Sequence, residues 1–259
     1  MLRESRGCSG AFSRACVVAV WASFIVVFFT GSAIAFPTPG NTNITSVGVI
    51  PGAEIEQINV TGHYSNTSVY MGPYSIGISG SPIVEYMMCF NAAAAASTGR
   101  AVATDTVGAS GYFGVDAAAK ISMVAWLASQ WQADITSPAA IARNADINKA
   151  MWEVMADYTS NPDNNHGLAV DGSVPSKGTF YLNANDGDID DVTALLGLAL
   201  GHTTDNTSAN FLIPVTDTGA YDSSKQPFVQ PVPEPATLLL LGSGLAGTGL
   251  WRWRRRNRA

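Results

Sequence analysis

The residues able to do chemistry are few. The chain of 259 residues has three cysteines (Cys8, Cys16 and Cys89) and three histidines (His63, His166 and His202). It also has one acidic run, Asn183-Ala184-Asn185-Asp186-Gly187-Asp188-Ile189-Asp190-Asp191. A thiol becomes a nucleophile when a neighbouring base takes its proton, so Cys89 with one of the histidines would outline an extracellular cysteine hydrolase. No Cys-Gly or His-Gly signature supports this except His166-Gly167, which sits in an Asn-rich stretch. Histidines and cysteines this scattered make no zinc pattern, and no Gly-rich phosphate loop follows a strand. Asp186, Asp188 and Asp190 gather carboxylates beside Gly187, the composition of a weak calcium loop. The EF-hand spacing, with Glu at its twelfth position, is absent. The simpler reading of the run is a solvated turn that caps a helix. No catalytic residue and no cofactor beyond that calcium is expected.

The elements that must position these residues read as α+β, a β-rich domain with a helical insert of two to three helices. Phe36–Ile50, rich in Pro, Thr, Asn and Gly, reads as an extended leader. Short β-like runs follow at Ile55–Val60, Val69–Ile78 and Ile83–Phe90, cut by Gly and Pro. Cys89 lies near the end of the third run, and Asn91–Thr98 is an alanine-rich transition without a clear state. The first helix is expected over Val115–Trp131, with Asp116 as cap and Ala117, Ile121, Val124, Ala128 and Trp131 on one apolar face. Ser137-Pro138 opens a second helix to about Tyr158, with Ile141, Ala145, Asn148, Trp152 and Met155 on one stripe. Asn148 is the polar member of that stripe and must find a partner, because burying an amide unsatisfied costs about 1–3 kcal/mol. A loop over Asp163–Ser176 and a strand at Thr179–Leu182 lead to a short third helix, Asp191–Leu200, capped by Asp190 or Asp191. Closing strands are expected at Phe211–Val215 and Pro227–Val229.

Charge and hydropathy divide the chain in three. Phe36–Pro231 holds 18 acidic and 6 basic residues, a net charge of −12. That balance excludes nucleic acid as a partner, since a phosphate backbone requires clustered Lys and Arg. It also opposes peripheral binding to anionic lipid. At the start, Arg3, Arg6 and Arg14 precede the apolar run Ala15–Phe29 and a closing Ala33-Ile34-Ala35. This is the plan of a signal peptide (residues 1–35), read by the Sec translocon and removed by signal peptidase after Ala35. Removal would take Cys8 and Cys16 and leave Cys89 as the lone thiol of the exported body, residues 36–231. A lone thiol in an oxidising compartment is usually a buried, inert one. At the other end stand Val232-Pro233-Glu234-Pro235, the 16 apolar residues Ala236–Trp251, and a tail with Arg252, Arg254, Arg255, Arg256 and Arg258. The span is short for a bilayer, with Trp251 and Trp253 at the interface. The arginines would hold the tail in the cytoplasm.

Two resemblances follow from these residues. Val232–Ala259, with its Pro-Glu-Pro, short span and arginine tail, resembles the PEP-CTERM sorting signal of Gram-negative bacteria. That resemblance implies processing near Pro233–Pro235 by an exosortase, transient anchoring in the inner membrane through 236–251, and a final place in the cell envelope, surface or extracellular matrix. It also implies association with exopolysaccharide or biofilm. The second resemblance covers about residues 83–229 and rests on Cys89-Phe90, Ala125-Trp126-Leu127, Asn148-Lys149-Ala150-Met151-Trp152-Glu153-Val154 and Gln226-Pro227-Phe228-Val229. These pieces resemble the thioester domains of bacterial surface adhesins, in which a Cys and a Gln side chain condense to an internal thioester. Cys89 stands at the cysteine position, although the usual Tyr-Cys is Met88-Cys89 here. Asn148 stands at the glutamine position, and its side chain is one methylene shorter, which works against the condensation. The leading reading is therefore a non-enzymatic surface or matrix protein with a degenerate, non-covalent body. A covalent adhesin is the alternative. The Thr/Ser/Asn-rich surface, with sequons at Asn43, Asn59, Asn66 and Asn206, suits contact with polysaccharide.

Overall fold

The computed structural model describes residues 39–114, 116–132, 134–160, 168, 170, 179–183 and 187–232. The expected signal peptide, the Pro-Glu-Pro segment with its span and arginine tail, His166 and Asp186 lie outside the described residues. Six strands close into a barrel in the order β1 (Gly40–Val49), β4 (Pro73–Ile78), β5 (Val84–Cys89), β9 (Phe228–Pro231), β8 (Ala209–Pro214) and β6 (Gly99–Thr104). A second, three-stranded sheet runs β3 (Tyr64–Met71), β2 (Glu54–Val60) and β7 (Phe180–Leu182). Every ladder is antiparallel. Four helices complete the domain: α1 (Thr106–Ser110), α2 (Ala117–Ser129), α3 (Pro138–Asp157) and α4 (Ile189–Ala199). The α+β class holds, with six of the nine described strands gathered into a barrel. Among the described residues, no helix is long and apolar enough to cross a membrane.

The Phe36–Ile50 leader is corrected. From Gly40 the segment is a ten-residue barrel strand, paired on one side with β6 and on the other with β4. Its Thr, Asn and Gly residues hid it, because only Ile44 and its neighbours supply apolar contact and a register shift between Ile44 and Ser46 breaks the alternation. The short helix α1 was not expected. Asp105 caps it by accepting from the Gly108 amide at 2.9 Å. Asp116 precedes α2 but makes no side-chain cap bond; its carboxylate accepts instead from the Ser160 amide and hydroxyl. The third helix begins at Ile189, two residues before the expected start, with Asp188 as its N-cap residue.

Helix α3 is the centre of the insert. The sequence showed an apolar stripe, yet the fold buries every residue from Asn144 to Val154. Five polar side chains go inside with it: Asn144, Asp146, Asn148, Lys149 and Glu153. α2 packs along one side of the helix, and β2, β3, β7 and α4 take the others. A helix buried all round must satisfy its polar side chains internally.

Candidate functional site

Cys89 ends β5, whose alternation buries Glu85, Met87 and Cys89 completely while Val84 and Tyr86 stay exposed. Strand period two thus points the thiol inward, and its backbone pairs with Phe228 of β9. Asn148 and Trp152 reach it from α3. They stand four residues apart, on one helix face. Both donate to the Cys89 carbonyl oxygen, Asn148 Nδ2 at 2.5 Å and Trp152 Nε1 at 3.1 Å. The other end of the Asn148 carboxamide accepts from the Gly72 amide at 3.0 Å. Gly72 joins β3 to β4 with φ +101°, in the left-handed region that favours glycine. One side chain therefore ties α3 to the β3–β4 link and to β5. A flip of the amide would break both bonds, which fixes its orientation.

The Cys89 sulfur lies 3.9 Å from both Asn148 Oδ1 and Nδ2. Sγ is thus equidistant from the two heteroatoms of the carboxamide. Cys89 and Asn148 are both fully buried. Burial pushes the Cys89 thiol up to about 12, against weaker pulls downward from Asn148, Trp152 and Tyr74. Tyr74, buried beside it, is raised as well, by burial first and then by Cys89. At neutral pH the thiol is protonated and dry. Among the described residues no histidine hydrogen-bonds Cys89: His63 is exposed, and His202 pairs with Asp205 and stacks on Trp126 at 4.2 Å. Gly72 and Tyr74 carried no sequence signal, because they join the site only through the sheet.

Of the expected acidic loop, Asp188 and Asp190 are described and Asp186 is not. Asp188 faces Glu54 and Glu56 of β2, and one carboxylate oxygen from each of the three lies within 4.8 Å of the others. Asp190 is exposed and stands outside this group. Lys149, its side chain fully buried, meets Asp188 at 2.5 Å and Glu56 at 3.5 Å. The signal for the two glutamates was Glu54-Ile55-Glu56, since alternate residues of a strand share a face.

A cleft of about 600 Å³ opens elsewhere, lined by Thr106, Ser110, Ser122, Thr204, Asn206 and Asn210 among others. Val232 also lines it, immediately after β9. From Pro231 onward the chain matches a known pattern. It carries a PEP-CTERM protein-sorting motif, over residues 231–256. The PEP-CTERM motif implies an exported protein, held at the membrane until an exosortase processes it. It begins on the last residue of β9, so the folded barrel runs directly into the sorting signal. No curated protein and no solved structure matches the chain.

Proposed function

We propose that the chain is a non-enzymatic structural or adhesive protein of the cell surface or extracellular matrix, delivered by Sec export, signal peptidase cleavage after Ala35 and exosortase processing. The PEP-CTERM motif at 231–256 carries this reading. The cleft, mostly apolar, also carries Thr, Ser and Asn groups that can hydrogen-bond a neutral exopolysaccharide, and the acidic body disfavours an anionic one. Asn59, one of the four sequon residues, is buried and bonded to Asn66 and Asn183, so it serves the fold.

Expression in a host with and without an exosortase tests the sorting step. With the enzyme, the wild-type chain yields an envelope or released species lacking Arg252, Arg254, Arg255 and Arg256. Replacing Pro233, Glu234 and Pro235 with Ala leaves the tail on and the protein at the inner membrane. Identical processing of variant and wild type would overturn the reading.

The distances at Cys89 favour one alternative, a covalent adhesin. There the thiol would add to the Asn148 carbonyl carbon, its proton leaving with the amide nitrogen as ammonia and a carbon–sulfur bond replacing the carbon–nitrogen bond. The raised thiol and the fully bonded carboxamide oppose it. Intact mass before and after methylamine decides. A chain one ammonia light that gains methylamine establishes the thioester, whereas the plain sequence mass with a titratable thiol removes it.

A further inference from the structure

Trp152 has a second place in the fold. The side chain that donates to the Cys89 carbonyl also walls a cavity of about 220 Å³. Phe113, between α1 and α2, and Tyr221, between β8 and β9, bring two more aromatic rings to it, their centroids 4.9 Å apart. Lys120 of α2, Asn91 just after β5 and Thr179 just before β7 supply polar lining. Segments distant in sequence thus converge on one concave space that is aromatic on some sides and polar on others, the general form of a small-molecule site.

Two donors in that lining are not spent on the fold. Lys120 Nζ donates to the Met155 carbonyl oxygen at 2.9 Å, one bond for a group with three donors. The Tyr221 hydroxyl accepts from Asn91 Nδ2 at 3.2 Å, and among the described residues its own proton meets no acceptor. Donors held half-buried among apolar walls gain from a ligand that accepts. Charge is a separate matter. Asp157 and then Asp116 act on Lys120 electrostatically, so its positive charge is already offset. Their carboxylates bond elsewhere, Asp157 to the Thr179 and Phe180 amides and Asp116 to the Ser160 amide and hydroxyl. The cavity therefore offers hydrogen-bond donors and aromatic carbon, with no spare charge for an anion.

The ligand that fits has an apolar face, an edge of oxygens and no charge. A neutral sugar ring has all three: its C–H face lies against aromatic carbon, and its hydroxyl oxygens accept from Lys120 and Tyr221. At about 220 Å³, below the roughly 300–1,000 Å³ of a drug-sized site, the cavity takes one ring and not a length of chain. We propose that the cavity walled by Phe113, Trp152 and Tyr221, with Lys120 on its polar side, binds the terminal ring of a neutral exopolysaccharide. This rests on the polysaccharide reading and refines it: the larger cleft meets the polymer along its length, and this cavity holds its end.

The test uses the full-length chain in a detergent without a sugar headgroup. Ligand-observed NMR reads binding of glucose, galactose and mannose, with glucuronic acid as the charged counterpart. At least one neutral sugar is expected to bind saturably, with a dissociation constant of about 1–10 mM. Lys120→Met should weaken that binding about tenfold, through loss of a charged donor. Tyr221→Phe, which removes one oxygen and keeps the ring, should weaken it about threefold or more, and it keeps the measurement possible if Lys120→Met fails to fold. Arg143→Gln, on α3 but outside the lining, leaves binding unchanged. Absence of saturable binding by any neutral sugar up to about 100 mM overturns the proposal. Tighter binding of glucuronic acid than of the neutral sugars, or equal binding by all three variants, overturns it too. Retention on dextran beads separates this failure from that of the underlying reading. If wild type and Lys120→Met are retained alike while no monosaccharide binds, the cavity is wrong and the polysaccharide reading stands.

Discussion

Cys89 and Asn148, far apart in sequence, place a sulfur 3.9 Å from both heteroatoms of a carboxamide. The carboxamide is not free to choose its partner. Its oxygen is held by the Gly72 amide and its nitrogen by the Cys89 carbonyl. The same carboxamide that lies against the thiol thus serves as a clamp between helix and barrel.

Asn148→Ala should therefore destabilise the fold. It leaves the buried Gly72 N–H without an acceptor, whereas the Cys89 carbonyl keeps Trp152. The orphaned amide costs about 1–3 kcal/mol, and the lost volume adds to that. Chemical denaturation gives the value. A change below about 0.5 kcal/mol would mean that the clamp carries no weight.

The thiol should be silent in the native state. Cys89 is fully buried and raised to about 12, so an alkylating reagent lacks both access and thiolate. For the chain freed of residues 1–35, which carry Cys8 and Cys16, the expected result is no labelling in buffer near pH 7 and one label per chain in denaturant. Fast native labelling would contradict the burial and revive a reactive role for Cys89. If the thioester exists, labelling in denaturant is absent until an amine or water opens it.

The sequence made these contacts partly legible. Asn148 stood out as an amide in an apolar stripe, and Cys89 as the lone thiol of a buried-looking run. Their meeting was legible only through the resemblance. Gly72 and Tyr74 were not, because a strand link and a cross-strand neighbour have no periodic signature. The contacts of Asp188 were hidden for a related reason. Asp186, Asp188 and Asp190 are close in sequence, yet α4 begins at Ile189 and Asp190 is exposed, while two strand glutamates come to Asp188 through the fold. Strand β1 was missed because a barrel strand rich in Thr and Asn draws its stability from two ladders more than from its own side chains.

Asp146 gives the protein a pH dependence of definite sign. Its carboxyl rises to about 7 in the fold from an ordinary value of 3.8. The folded chain therefore holds this proton at pH values where the unfolded chain has released it. Stability from this group is full below about pH 4, falls as pH climbs towards about 7, and stays lost above. Asp146→Asn removes the dependence. In EDTA, wild type and variant should melt together near pH 4, and the variant should melt higher near pH 8, each kcal/mol appearing as about 2–4 °C. An equal gap at both pH values would place the titration elsewhere.

The last relationship joins fold and sorting. β9 is hydrogen-bonded between β5 and β8, Phe228 packs edge-on to Tyr74, and Pro233 follows only two residues after the strand ends at Pro231. The closed barrel therefore stands against whatever enzyme engages Pro233–Pro235. A Gly/Ser insertion of about ten residues between Val232 and Pro233 would add a root-mean-square reach of about 17 Å. Pulse-chase analysis of tail removal should then show faster processing than in wild type, with the barrel intact by circular dichroism. Phe228→Asp should act through the fold, opening the β5–β9 seam at a fully buried position and giving a protease-sensitive body. If the insertion leaves the rate unchanged while Phe228→Asp alone alters it, barrel stability rather than distance governs access to the sorting motif.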